Sequence, residues 1–183
     1  MRPSKTDKIT AKQSTDSIKL SWTAVEGATG YRVYLFNEKT GKYKTLGTTE
    51  KLSCTIKKLK SGAEYKFAVK AYTKVETETL WSKYYTELQT ATKPATPTVS
   101  VKAGANKASL SWKQITGATG YVVYMSDEKD SGYEKIGSTK KLSCTIKNLK
   151  KGKTYYFKVK AYSKVDGKNI YSSASKAVSV KVK

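Results

Sequence analysis

The stretch from Lys51 to Tyr72, KLSCTIKKLKSGAEYKFAVKAY, returns from Lys141 to Tyr162 as KLSCTIKNLKKGKTYYFKVKAY. Apolar and polar residues alternate in both halves of each copy. In the segment from Tyr65 to Tyr72, the side chains of Tyr65, Phe67, Val69 and Ala71 fall on one face of an extended chain. A period of two is the strand signal, and the Lys-Ser-Gly or Lys-Lys-Gly interruption before each Tyr supplies a turn. The stretch therefore reads as two strands meeting at a tight corner, made twice.

Outward from it, Trp22 matches Trp112, Tyr31 matches Tyr121, Cys54 matches Cys144 and Tyr72 matches Tyr162, all with the same offset. No gap is needed from Trp22 through Ser82, and about half the positions in that window are identical. The period is too long for a solenoid or propeller repeat, so each copy is expected to be an independent domain. The segment ATKPATPTV between the copies carries Pro94 and Pro97, which restrict the chain and remove donors from any continuing strand. The expected division is residues 1–93 and 94–183, joined by a short, semi-rigid linker. IKLSW (Ile18 to Trp22) and YRVYL (Tyr31 to Leu35) add two more alternating runs, and the second copy repeats them. With terminal strands the expectation is all-β, about seven strands per copy, in two tandem immunoglobulin-like two-sheet sandwiches. Helical periodicity is absent.

These landmarks resemble the fibronectin type III family: a Trp on the second strand, Y-x-V on the third, and Leu-x-x-Gly-x-x-Tyr leading into the sixth. The resemblance covers nearly the full length of both copies. It implies that Leu59, Gly62 and Tyr65, and likewise Leu149, Gly152 and Tyr155, form a structural tyrosine corner. In that motif the phenol bonds back to upstream backbone and pins the crossing between sheets. Tyr65 and Tyr155 are thus expected to be buried along with Trp22 and Trp112, each phenol donating to a backbone carbonyl. The family usually has Pro just before the corner Gly. Ser61 and Lys151 stand there instead, a departure expected to loosen the turn. The Gly-Ala-Thr-Gly-Tyr openings at Gly27 and Gly117 look like modules of Gram-positive bacterial surface or secreted proteins. The resemblance implies a non-catalytic spacer or adhesion pair from a larger extracellular or cell-surface protein, with other domains of that protein as partners. The near-identical repeats also permit a consensus-derived scaffold.

Charge is the most unusual feature of the composition, with 36 Lys and Arg against 14 Asp and Glu and a net charge of +22. Residues 1–93 hold 18 basic and 9 acidic side chains, net +9, and residues 94–183 hold 18 and 5, net +13. Such a surface attracts polyanions, among them sulfated or acidic polysaccharides, anionic bacterial wall polymers and anionic lipid surfaces; a host surface protein is a further expected ligand. Nucleic acid fits the charge but is not expected as a partner of an extracellular module. Abundant Lys also simply keeps strands soluble. No run of about 18 apolar residues exists to span a bilayer. Polar residues follow Met1 to Lys5 where a secretion signal would be apolar, so Met1 reads as an added start.

Histidine is absent, which removes Ser-His-Asp and Cys-His catalysis and His-ligated metals. One Cys per copy makes neither a disulfide within a copy nor a Cys-rich zinc site. Cys54 and Cys144 are expected as buried, reduced, poorly reactive thiols beside Ile56 and Ile146. Gly62 and Gly152 are turn residues rather than a phosphate-cradling loop, so no cofactor is expected. Paired carboxylates could serve a glycosidase, but Glu76 and Glu78 read as the solvated tip of a hairpin. The Arg-Gly-Asp tripeptide that some family members carry between the sixth and seventh strands is missing. That loop reads TKVETETLWS (Thr73 to Ser82) and SKVDGKNIYS (Ser163 to Ser172). Asp166-Gly167 suits a tight hairpin, while Glu76-Thr77 must turn differently.

Strand alternation also proposes a ligand face. With Tyr31, Val33 and Leu35 inward, Arg32 and Tyr34 point out. So do Lys66, Lys70 and Tyr72 on the sixth strand, and Tyr124, Tyr156, Lys158, Lys160 and Tyr162 in the second copy. A ladder of Tyr and Lys suits an acidic glycan or single-stranded nucleic acid, because rings stack and Lys neutralises acid groups. The alternative is ordinary stabilisation by cross-strand pairs. A second basic cluster, Lys57, Lys58 and Lys60 with Lys147, Lys150, Lys151 and Lys153, lies at the corner before the sixth strand. It is either a solvated rim or a polyanion-binding end.

Overall fold

The computed structural model describes residues 1–183 as sixteen strands without a helix. The chain divides into two compact units, Met1–Lys60 with Glu64–Thr92 and Ser61–Ala63 with Lys93–Lys183. The first contains β1 (Ile9–Gln13), β2 (Ile18–Trp22), β3 (Gly30–Asn37), β4 (Lys42–Thr49), β5 (Ser53–Ile56), β6 (Glu64–Val75), β7 (Glu78–Trp81) and β8 (Thr86–Ala91). The second contains β9 (Val99–Gly104), β10 (Lys107–Trp112), β11 (Gly120–Ser126), β12 (Glu134–Thr139), β13 (Ser143–Ile146), β14 (Thr154–Val165), β15 (Lys168–Tyr171) and β16 (Val178–Lys181). Each unit pairs a three-stranded sheet, β1-β2-β5 or β9-β10-β13, with a five-stranded one. The latter runs β4-β3-β6-β7 with β8 also on β6, or β12-β11-β14-β15 with β16 also on β14.

The inward side chains of the alternating runs make the two cores. Ile18, Leu20, Phe67, Val69 and Ala71 are fully buried in the first unit. Leu110, Phe157, Val159 and Ala161 replace them in the second. Trp22 and Trp112 are buried as expected, tilted against Tyr31 and Tyr121 at 5.5 and 5.2 Å between ring centroids. Tyr31 and Tyr121 also accept backbone N–H groups, from Val25 at 2.8 Å and Ile115 at 3.0 Å.

Each unit has eight strand segments rather than seven, because the last strand is broken. β7 pairs with the Tyr72–Val75 end of β6 and β8 with its Glu64–Val69 end. In the second unit two serines take over the pairing at the break. Ser172 Oγ accepts the Ala161 N–H and Ser175 Oγ the Val159 N–H, both at 3.0 Å. The first unit keeps only the former position, where the Ser82 N–H donates to the Ala71 carbonyl at 2.9 Å. Both hairpins between β6 and β7 and between β14 and β15 span two residues. Asp166 and Gly167 both take positive φ, whereas in Glu76-Thr77 only Glu76 does, so the two turns differ as anticipated while keeping one length.

The tyrosine corner forms, with the direction of its bond reversed. The Lys60 N–H donates to the Tyr65 hydroxyl at 2.8 Å, and the Lys150 N–H to the Tyr155 hydroxyl at 3.3 Å. The phenol accepts because a turn leaves N–H groups without a strand partner. Tyr155 is buried, but Tyr65 is only half-buried, contrary to expectation. At the first corner, where the Pro is missing, two side chains bond the turn. Ser61 Oγ donates to the Lys93 carbonyl at 3.0 Å, and Thr92 Oγ1 to the Lys60 carbonyl at 2.6 Å.

Candidate functional site

The five-stranded sheet of the first unit carries its candidate face on β3 and β6, whose register sets Arg32 opposite Lys70 and Tyr34 opposite Ala68. Arg32, Tyr34, Lys66 and Lys70 lie half-buried on that face. Tyr72 does not take part. It is 7% exposed, packed against Trp81 at 5.1 Å between centroids and laid over Gly30, directly opposite it. A Cβ at Gly30 would meet the Tyr72 hydroxyl at 2.6 Å, so the glycine makes the seat for the ring. Gly120 does the same for Tyr162, which is half-buried against Tyr171 at 5.8 Å.

Four further aromatic residues join the first face. Tyr34 meets Tyr85 at 5.2 Å and Tyr43 at 6.4 Å, Tyr43 stacks on Tyr85 at 5.3 Å, and Phe36 meets Tyr43 at 5.2 Å. The cations sit over these rings. Arg32 lies 4.1 Å from the Trp81 centroid, Lys70 4.9 Å from Tyr85 and Lys66 5.3 Å from Phe36. Such contacts lower the energy of a cation beside an aromatic face without neutralising it. Lys66 is neutralised, by Glu87 at 3.0 Å, and Glu87 also accepts the Tyr43 hydroxyl at 2.5 Å. The Tyr43 hydrogen bond and then Lys66 hold the Glu87 carboxyl below the usual carboxylate range. Burial, followed by Glu87, raises the Tyr43 hydroxyl. Burial also raises the Tyr34 hydroxyl, against the opposing pull of Arg32.

The second face is built from fewer parts. Tyr124, Tyr156, Lys158 and Lys160 lie half-buried on it, and Val122 stands opposite Lys160. Lys158 sits 3.8 Å from the Tyr133 centroid and Lys160 5.5 Å from Tyr124. Tyr43 on β4 and Tyr133 just before β12 are not among the residues that strand alternation picks out, although they match each other under the repeat offset. Tyr85 could not be found that way, since Ser175 stands in its place.

The corner lysines Lys57, Lys58, Lys60, Lys147, Lys150, Lys151 and Lys153 are all exposed. Lys58 and Asn148 adopt positive φ, 60° each, which turns the chain out of β5 and β13. Lys153 is set apart from its neighbours by an ion pair with Asp127 at 2.6 Å and a position 5.6 Å from the Tyr155 centroid.

Cys54 and Cys144 are free and point toward the cores as expected, but they are half-buried rather than enclosed. Cys54 lines a cleft of 310 Å³ between the edges of β4 and β5, with Val33, Leu46 and Ile56. Cys144 lines a matching cleft of 140 Å³. Burial pushes both thiols above their ordinary range. Each cleft lies between two unpaired sheet edges, beside a register shift at Val33/Tyr34 or Val123/Tyr124.

The family model for the fibronectin type III domain matches residues 3–87 and 92–177. Among solved structures the chain is similar to a two-domain fibronectin type III segment of chicken tenascin, at 16% identity and a TM-score of 0.50, covering 98% of each chain. It is also similar to the FN1–FN3 domains of chicken CNTN1, at 18% identity and a TM-score of 0.51, covering 100% of this chain and 69% of that one. At such identities the likeness is one of fold. No curated protein matches the chain.

Proposed function

Because the chain belongs to the fibronectin type III family, we propose that it serves as a non-catalytic spacer and adhesion pair within a larger extracellular bacterial protein. The observation that carries this reading is how the outer sheet faces are built. Lys66, Lys70, Lys158 and Lys160 each lie over a ring of their own unit, so the face is an open surface of rings and cations. A surface of that kind suits contact with an extended polymer. The net charge of +22 favours anionic wall polymers and acidic polysaccharides as the material contacted. The bacterial setting rests on the Gly-Ala-Thr-Gly-Tyr openings, and the extracellular one on the family.

The test is an exchange within the parent protein, replacing both units by an unrelated, neutral sandwich pair of equal length. A spacer role predicts that flanking modules keep their activity. An adhesion role predicts that attachment to anionic surfaces falls. Loss of a catalytic activity that purified 1–183 itself displays would refute the proposal.

A further inference from the structure

We propose that Arg32 and Lys70 form an anion-binding site on the first unit, shaped for the carboxylate of an acidic sugar. The proposal rests on the adhesion part of the reading above and narrows it to one place and one ligand class. The two cations stand directly opposite each other across β3 and β6, an arrangement in which like charges repel and weaken a sheet. Neither has a carboxylate partner, for the only ion pairs in the protein are Lys66 with Glu87 and Lys153 with Asp127. Of the acids on this face, Glu87 is already committed to Lys66 and Tyr43, and Glu64, at the far end of β6, bonds Gln89. Arg32 Nε is buried without a hydrogen-bond partner, and the rest of the guanidinium reaches only the neutral Tyr34 hydroxyl, so its charge has no counter-charge within the protein.

Both charges are nonetheless held in place. Trp81 backs Arg32 and Tyr85 backs Lys70, which fixes two long side chains that would otherwise lose freedom on binding. A carboxylate between them would accept from the planar guanidinium and from the ammonium together. Tyr85, under Lys70, is 38% exposed, giving ring area on which a sugar can stack. That ring area favours a glycan over a bare anion.

The second unit supplies the comparison. It has the larger net charge, yet Val122 replaces Arg32, Ser175 replaces Tyr85 and Ala174 replaces Tyr84. Attraction by charge alone would favour the second unit, whereas a built site favours the first.

The experiment titrates the full chain with a tetramer of galacturonic acid, followed by residue-resolved NMR, with its methyl ester and inorganic sulfate as further probes. The site predicts shifts centred on Arg32, Lys70 and Tyr85. It also predicts a loss of affinity of tenfold or more in Arg32→Val, which installs the residue of the second unit, and in Lys70→Ala. The methyl ester should bind at least tenfold more weakly. Lys70→Ala trims a solvent-facing side chain and keeps the test valid where Arg32→Val disturbs packing on Trp81. Absence of binding at millimolar tetramer, unchanged affinity in both variants, shifts centred on Lys147, Lys150 and Lys151, or equal occupation by sulfate would each overturn the proposal. Tetramer binding with no attachment of the parent protein to anionic surfaces would leave this site standing and sink the adhesion reading.

Discussion

Tyr31 turns its hydroxyl back along the chain and accepts the N–H of Val25 at 2.8 Å, in a bond buried from solvent. The corner bond of Tyr65 to Lys60 has the same length but lies at an exposed turn. Tyr31→Phe leaves a buried N–H without a partner, which costs about 1–3 kcal/mol. After Tyr65→Phe water can reach the freed donor, so the loss should be nearer about 0.5–1.5 kcal/mol. Tyr155→Phe removes a longer but part-buried bond of 3.3 Å and should also cost less than Tyr31→Phe. Denaturation midpoints of the three variants test the order, and faster amide exchange at Val25 should accompany only the first. A larger loss in Tyr65→Phe than in Tyr31→Phe would contradict the assignment.

Gly30 and Tyr72 offer a coupled pair. A methyl group at Gly30 would come within 2.6 Å of the Tyr72 hydroxyl and 2.7 Å of its ring carbon, so Gly30→Ala must displace the ring or the strand. Overpacking of this kind costs about 1–3 kcal/mol. Tyr72→Ala removes the obstacle, so the double variant should be less destabilised than the sum of the two singles. Additive losses, measured by urea denaturation, would show that the ring does not need the glycine.

The architecture was legible because both units repeat one period-two pattern around Trp22, Phe67 and their counterparts, and burial on one sheet face demands that pattern. The division of the last strand was not. The break occurs in both units, and only in the second do Ser172 and Ser175 offer side-chain oxygens to β14 there; serine in a strand carries no signal of its own. The ligand face was legible as to side but not as to exposure. Alternation places Tyr72 outward, but its covering by Trp81 depends on a strand pairing that periodicity does not give. The direction of the corner bond was misread because spacing shows that Tyr65 reaches the turn, not which backbone group is free there.

The serines of the break lead to a further expectation. Ser172→Ala and Ser175→Ala each free a buried N–H on β14, at Ala161 and Val159. Each should cost about 1–3 kcal/mol and raise amide exchange at that one residue. In the first unit Tyr85 stands at the position of Ser175, so Tyr85→Ala should leave exchange at Val69 unchanged. Equal exchange at Val159 before and after Ser175→Ala would show the bond to be dispensable.

The clefts beside Cys54 and Cys144 make thiol reactivity depend on pH in a defined direction. Burial raises both thiols, and the thiolate is the reacting form, so labelling near neutral pH should be slower than for an exposed cysteine. Since the thiols are half-buried and line open clefts, the rate should climb as pH rises, without waiting for unfolding. Cys54, in the roomier cleft, should react faster than Cys144. Linkage has a matching sign. A folded thiol that holds its proton more tightly than the unfolded one contributes stability that is full below about pH 8.5 and is lost as pH rises through the folded pKa. Cys54→Ser should remove its share of that alkaline loss. Mass-spectrometric labelling with iodoacetamide between neutral and alkaline pH, set beside unfolding midpoints over the same range, measures both. Labelling that follows the unfolding rate at every pH would show the thiols to be enclosed and the clefts closed in solution.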